Sequence, residues 1–299
     1  MSSPAGTDPS VPVRDASTVL PLRNGPDGLE VYMVKRNSRL GVCGGAHVFP
    51  GGAVDDSDRL PVLDPLLDDF DAAHASSELD AGDEARARGF YVAAFRELFE
   101  EAGILLARHD DGSWIDLCSV APVSERFVNH RGAILALERE MGDVLRAEGL
   151  TLACGALSYF AHWVTPAMEK KRFDTRFFLA RMPDAQEARY VQGELTEGAW
   201  VEPAEGLAAY GRREIEMLPP TICSLDWLAL HRSVEEALHA AAELEIVAIR
   251  PKIAVDGDDV TLLYPGDDDY DTGVARECGP GRMLNRLVLR EGLWVRPGA

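Results

Sequence analysis

The sequence has no apolar run of 18 residues, so no segment reads as a membrane-spanning helix, and no apolar leader follows Met1. Cysteine is sparse: Cys43, Cys118, Cys154, Cys223 and Cys278 are scattered over 299 residues without a C-x-x-C pair. Neither a disulfide framework nor a zinc site is indicated, and reduced thiols in a cytoplasmic protein are the expectation. Positive charge is also short, with 30 Lys and Arg against 50 Asp and Glu and a net charge of −20. Affinity for nucleic acid rests on cations that neutralise phosphates, so this balance argues against nucleic acid as a direct partner. A small phosphorylated molecule remains compatible, because a bound metal can supply local positive charge. The seven histidines do not cluster, and no internal repeat is evident.

What is present is enough apolar content, 46%, for one large domain or two small ones. Residues 1–12, rich in Ser, Pro and Gly, read as a disordered lead. Ala16–Arg23 and Leu29–Lys35 flank the turn cluster Asn24-Gly25-Pro26-Asp27-Gly28 and predict a β-hairpin. Phe90, Ala94, Leu98 and Ala102 recur at i+4, which predicts a sheet-packed helix over Glu84–Ala102. Residues 124–150 and 224–243 also read as helices, with Leu218-Pro219-Pro220-Thr221 as a rigid loop before the second. Arg172–Ala180 alternates and then turns apolar, as a central strand does. From residue 246 the pattern changes to short strands.

The chain is organised around Arg96-Glu97-Leu98-Phe99-Glu100-Glu101-Ala102-Gly103-Ile104. Glu97, Glu100 and Glu101 stand at i, i+3 and i+4, within about 100° of arc on one helix face. Like charges so placed repel, and a hard divalent cation with oxygen ligands would offset them. A solvated acidic face is the plainer reading of the same spacing. Gly103 ends the helix, since it takes the left-handed conformation without steric cost. Upstream, His47-Val48-Phe49-Pro50-Gly51-Gly52-Ala53 is a strand running into a glycine turn that lets backbone approach a ligand.

Taken together, the Phe-Pro-Gly-Gly turn and the Arg-Glu-Leu-Phe-Glu-Glu-Ala-Gly-Ile run resemble the Nudix box, G-x5-E-x7-R-E-U-x-E-E-x-G-U, where U is bulky and apolar. Gly52 matches its first glycine and Arg96–Ile104 its second half. Gly52 and Arg96 are 44 positions apart where the pattern has 14, so 30 residues are inserted. The first acidic position then falls on Asp58. An alignment from Gly82 would put Arg88 there and discard the glycine turn. An insertion at this place is similar to the coenzyme A diphosphatase branch, as is the Trp163–Phe178 stretch. Of that branch's upstream motif, Gly45 matches a glycine, while the arginine position falls on Gly41, with Arg39 nearby.

The resemblance implies an α/β (α+β) Nudix fold, a mixed β-sheet sandwiched between helices. The Nudix domain would span 13–245, carry an acidic helical insertion at about 57–83 packed lightly on the surface, and be followed by a β-rich extension at 246–299 on the same domain. It further implies metal-dependent hydrolysis of a nucleoside diphosphate derivative, with Mg2+ or Mn2+ on Glu97, Glu100, Glu101 and the carbonyl of Gly51. Glu97 would be the first choice of general base, with a downstream loop Glu as runner-up; Arg96 and Glu100 stand beside it, and Gly52 and Gly103 would be structural. Arg36, Arg39, Arg172 and Arg176 are candidates for substrate phosphates, and Glu194 or Glu197 for a further acid. His47 and His162 are expected to be structural. Coenzyme A or an acyl-CoA is the first substrate reading. ADP-ribose, NADH, a dinucleotide polyphosphate and a non-catalytic regulator are its rivals, and a homodimer through the C-terminal strands is compatible with it.

Overall fold

The computed structural model describes residues 11–39, 44–256, 259–271 and 285–297. Gly41, Cys43, Cys278 and nearly all of the expected disordered lead lie outside them. Strands β1 (Val13–Asn24) and β2 (Leu29–Arg36) form the expected hairpin. Strands β3 (Ala46–Val48) and β4 (Gly51–Ala53) flank Phe49-Pro50; β3 runs beside β2 and β4 beside β1. The glycine turn is thereby pinned to the middle of the sheet.

The insertion follows, as 3-10 turns Ser57–Arg59 and Pro61–Leu66, strand β5 (Leu67–Asp68) and helix α1 (Ala72–Glu78), capped by Asp71. It does not lie lightly on the surface. Leu63, Leu67, Ala75, Leu79 and Ala81 are buried in the same apolar cluster as the next helix, and Asp58 is buried with them. These apolar residues are too widely spaced to form a periodic face, and only tertiary packing gathers them.

Helix α2 (Glu84–Ala102) has the expected bounds. The Asp83 carboxylate accepts the Arg86 backbone N–H at 2.7 Å, satisfying a first-turn donor. Gly103, at φ 69°, closes its far end in the left-handed region.

Next come β6 (Ala107–His109), α3 (Ala121–Leu135), α4 (Met141–Glu148) and β7 (Leu150–Ala153). The single helix expected over 124–150 is therefore two, parted at Leu137, which has φ 57° and faces solvent. Then follow β8 (Ser158–Val164), β9 (Arg172–Arg181), β10 (Leu195–Val201), α5 (Pro203–Gly211), β11 (Glu216–Met217), α6 (Pro219–Leu228) and α7 (Val234–Ala242). Pro219 and Pro220 do not hold a loop. They occupy the first turn of α6, where a missing N–H costs nothing. The expected helix over 224–243 breaks before Ser233, whose hydroxyl accepts the Glu236 N–H and starts α7. Last are β12 (Ala248–Ile249), which joins β8, and a four-stranded sheet of β13 (Lys252–Asp256), β14 (Asp259–Leu263), β15 (Arg286–Arg290) and β16 (Leu293–Val295).

Among the described residues the main sheet has nine strands, ordered β11-β3-β2-β1-β9-β8-β12 with β10 on β2 and β4 on β1. Its centre is the parallel pair β1–β9, in register from Val13–Arg172 to Leu22–Arg181. One face, with Val19, Tyr32, Val34 and Phe178, packs on α2. The other, with Leu20, Met33 and Leu179, meets Leu225 of α6, Ala237 of α7, and Leu262 and Leu287 of the C-terminal strands. A mixed sheet between helical layers is the α/β class expected. Among the described residues no helix is long and apolar enough to cross a membrane.

Candidate active site

The site forms where the last turns of α2 meet the glycine turn. The Gly51 N–H donates to Glu101 Oε2 at 2.9 Å. Beside it, a methyl group on Gly52 would overlap the Glu97 carboxylate, so only glycine lets this acid lie against the backbone. Two segments separated by the insertion are thus in direct contact.

Arg96 is the hub. Its Nη1 donates to Glu97 Oε1 at 2.8 Å and to Glu100 Oε1 at 3.2 Å, and its Nη2 donates to the Ala53 carbonyl at 2.8 Å. The opposite edge of the guanidinium holds Asp58, with Nη2 donating to Oδ2 at 2.9 Å and Nε to Oδ1 at 3.1 Å. Asp58 is 2% exposed. The turn at the start of the insertion therefore delivers the aligned acid onto Arg96, and Arg96 ties insertion, glycine turn and helix together.

Electrostatics mark the cluster. Burial pushes the Glu97 carboxyl up to about 7, and the neighbouring Glu100 adds to the rise. Burial pushes Glu101 up to about 8, reinforced by Glu97. Burial likewise raises Glu100 and Asp58. Desolvated carboxylates facing one another favour a proton or a cation. As they stand, Glu97 and Glu100 turn to Arg96 and Glu101 turns to Gly51, and among the described residues no three of them already form a closed ligand cage. The donors are all oxygens, and the one guanidinium bonded to them, Arg96, is shared among Asp58, Glu97 and Glu100. That chemistry fits a hard divalent cation.

The remaining candidates divide. Arg36, at the end of β2, lies near enough to Glu101 to lower its carboxyl, and its buried Nε has no acceptor among the described residues. Glu194 lies near enough to raise the same carboxyl. Both therefore belong to the site's surroundings. Arg39 is exposed in the loop after β2.

Three candidates are corrected. Arg176 is fully buried, not facing a substrate: it pairs with Asp174 and donates to the carbonyls of Leu79 at 2.7 Å and Asp80 at 3.1 Å. Arg172 sits four residues further along β9, roughly 13 Å from the register of Gly52, and its guanidinium donates to the Thr165 and Val11 carbonyls. Glu197 pairs with Lys35 at 2.9 Å and lines a cavity with Met33, His47 and Val201, under α5 on the sheet face away from α2. A bulge between Leu195 and Glu197 decides that facing. His162 is 3% exposed and bonded to Asp174 at 2.5 Å, a core histidine as expected. His47 is part-buried, with an unpartnered Nδ1.

One residue had no place in the sequence reading. Arg131 of α3 donates from Nε to the Glu100 carbonyl at 2.9 Å. A signal for it exists: Arg131 falls on the face defined by Phe127 and Ile134, a cation on an apolar stripe.

A family model described as the NUDT19 Nudix domain matches residues 83–228. Fold and sequence together support a Nudix hydrolase enzyme. The chain is similar to acyl-coenzyme A diphosphatase NUDT19 of Xenopus laevis and of Homo sapiens, at 24% and 26% identity. The matches cover 83% and 82% of this chain and 73% of each relative. The crystal structure of a Nudix hydrolase from Alicyclobacillus acidocaldarius overlays with a TM-score of 0.60 at 28% identity, covering 77% of this chain and 97% of that one.

Proposed function

We propose that this enzyme hydrolyses the pyrophosphate of coenzyme A or an acyl-CoA, giving 3′,5′-ADP and 4′-phosphopantetheine or its acyl form. The observation that carries the hydrolytic site is the contact of Glu97 and Glu101 with the glycine turn, with Arg96 locking Glu97 to Asp58. The coenzyme A assignment rests on the likeness to the two acyl-coenzyme A diphosphatases.

Glu97, Glu100 and Glu101, with the Gly51 carbonyl, would hold the Mg2+ or Mn2+ that such a reaction uses. When bound, the cation supplies Lewis-acid polarisation of the phosphoryl oxygens and lowers the pKa of water. The chain's own residues do the rest. Glu97, poised near 7, accepts the proton of the attacking water. Arg96 fixes the Glu97 and Glu100 carboxylates, so the base does not wander from the glycine turn. Arg36, with an unused buried Nε, offers a donor to the departing phosphate. Water attacks one phosphorus, the P–O bond of the bridge breaks, and the bridging oxygen leaves with the other phosphate. Cys118, Cys154 and Cys223 are free thiols, which suits a reducing compartment, and we place the enzyme in the cytoplasm.

The test is a panel of coenzyme A, an acyl-CoA, ADP-ribose, NADH and a dinucleotide polyphosphate, each with Mg2+ or Mn2+, read by chromatography. Preferential release of 3′,5′-ADP supports the assignment. Preference for ADP-ribose moves the enzyme to another substrate class, and no turnover on any member defeats the catalytic reading.

A further inference from the structure

Beside the catalytic helix lies a cavity of about 240 Å³, walled by Phe99, Phe127, Leu117, Val128, Gly103 and Arg131. Arg131 is 7% exposed. Only its Nε has an acceptor among the described residues; Nη2 is sealed from solvent and meets none. Among the described residues no carboxylate pairs with it, and burial pulls its pKa down to about 10. Tyr32, Glu101 and Glu100 lie near enough to oppose that fall. At the cavity mouth Glu187 is already paired with Arg189.

A buried guanidinium without a counter-ion is costly, and a fold retains one cheaply only if an anion completes it. Capping the α2 carbonyl explains Nε alone. Gly103 is part of the same arrangement: a side chain there would press on Arg131 Nη1, 2.8 Å from where its Cβ would stand. Backbone and guanidinium are packed so that the fork stays at the cavity wall.

We infer that Arg131 and this cavity form a specificity subsite for a second phosphate, a phosphomonoester carried on the nucleotide ribose of the substrate away from its pyrophosphate. The inference rests on the hydrolase reading above. The site's place supports it. Arg131 is bonded to the residue that carries one of the metal-facing carboxylates, and a ribose phosphate lies only about a sugar's width from its pyrophosphate. The planar fork matches a phosphate through two parallel donors, which Lys cannot reproduce. Phe99 and Phe127 give the sugar an apolar wall.

The test compares coenzyme A with dephospho-coenzyme A, which lacks that phosphate. The wild type should favour coenzyme A by about tenfold or more in kcat/KM, and Arg131→Gln should erase the preference by lowering coenzyme A turnover far more than dephospho-coenzyme A turnover, with Arg131→Lys between. Equal loss on both substrates would reduce Arg131 to a helix cap, and a preference that survives the substitution, or is absent from the wild type, would overturn the subsite. Val128 is exposed on the cavity wall, so Val128→Asp probes the site without touching the cap. It should weaken coenzyme A selectively, and unchanged selectivity there counts against the subsite if Arg131→Gln does not fold. Calorimetry of 3′,5′-ADP against AMP gives a readout independent of turnover. If neither coenzyme substrate is hydrolysed, the hydrolase reading falls, and loss or survival of the 3′,5′-ADP preference in the variants decides the subsite by itself.

Discussion

The two ends of α2 carry charge clusters of opposite character, roughly 15 Å apart along one helix. At the first turn, Arg86 joins Asp15 and Asp174, with Arg59 on Asp15 and Arg176 on Asp174: three guanidinium groups for two carboxylates, and His162 besides. Burial works against the charge of both acids, but His162 and Arg176 outweigh it at Asp174, and Arg86 and Arg59 outweigh it at Asp15, so both stay below the usual carboxylate range. At the last turns a single guanidinium, Arg96, faces Asp55, Asp58, Glu97 and Glu100, with Glu101 alongside. There Asp58, Glu97, Glu100 and Glu101 are pushed up, chiefly by burial. The first cluster is complete as it stands. The second is short of positive charge, and that deficit identifies it as the place for a ligand.

The comparison breaks most sharply under amide substitution. Glu97→Gln should cost about 10²–10⁴-fold in kcat, and Glu101→Gln most of the activity, while the Tm of either metal-free variant holds or rises because a repelling charge is gone. Asp174→Asn should do the reverse, with turnover retained and about 3–5 kcal/mol of stability lost in denaturant titration, because buried cations lose their partner. If both substitutions act alike, the two clusters do not differ in kind. Asp58→Asn comes next: Arg96 keeps its other acceptors but loses its firmest hold, so turnover should fall by about 10–100-fold with a modest loss of stability.

Acidity sharpens the contrast. Glu97 and Glu101 bind protons more tightly in the folded chain than in the unfolded one. Their contribution to metal-free stability is therefore fully present below pH 4.5 and lost as pH rises through about 7 to 8. Asp15 and Asp174 act in the opposite sense, adding stability above the ordinary carboxylate pKa and losing it in acid. Metal-free Tm should fall between about pH 4.5 and about pH 8, and Mg2+ should restore more of it at the upper end. Calorimetry with and without chelator reads this. The smallest effect belongs to Glu197→Gln. That acid is exposed and paired with Lys35, so activity should be unchanged and stability should move by less than about 1 kcal/mol.

What was legible in the sequence was local. The i, i+3, i+4 acids, the bounds of α2 and Gly103 as its stop all follow from helix geometry, and the hairpin follows from its turn residues. Charge could not be told inside from outside. Arg172 and Arg176 read as phosphate ligands because they are basic in an acidic chain, yet Asp174 lies between them on the same strand face and takes Arg176 into the core. Glu197 turned on a one-residue bulge, which reverses the face a side chain takes and leaves no mark in composition. The insertion looked decorative because its apolar residues have no period, although Asp58 at its start completes the hub of the site.

The long parallel seam between β1 and β9 has a consequence for how the protein comes into being. Val13 and Arg172 are 159 positions apart, so the first strand to leave the ribosome has no neighbour along that edge until more than half the polypeptide has been made. Such late, distant pairing delays collapse and leaves an apolar ribbon uncovered in the meantime. Nascent chains halted ahead of Arg172 should exchange the Leu20 amide freely, and chains released beyond Arg181 should protect it.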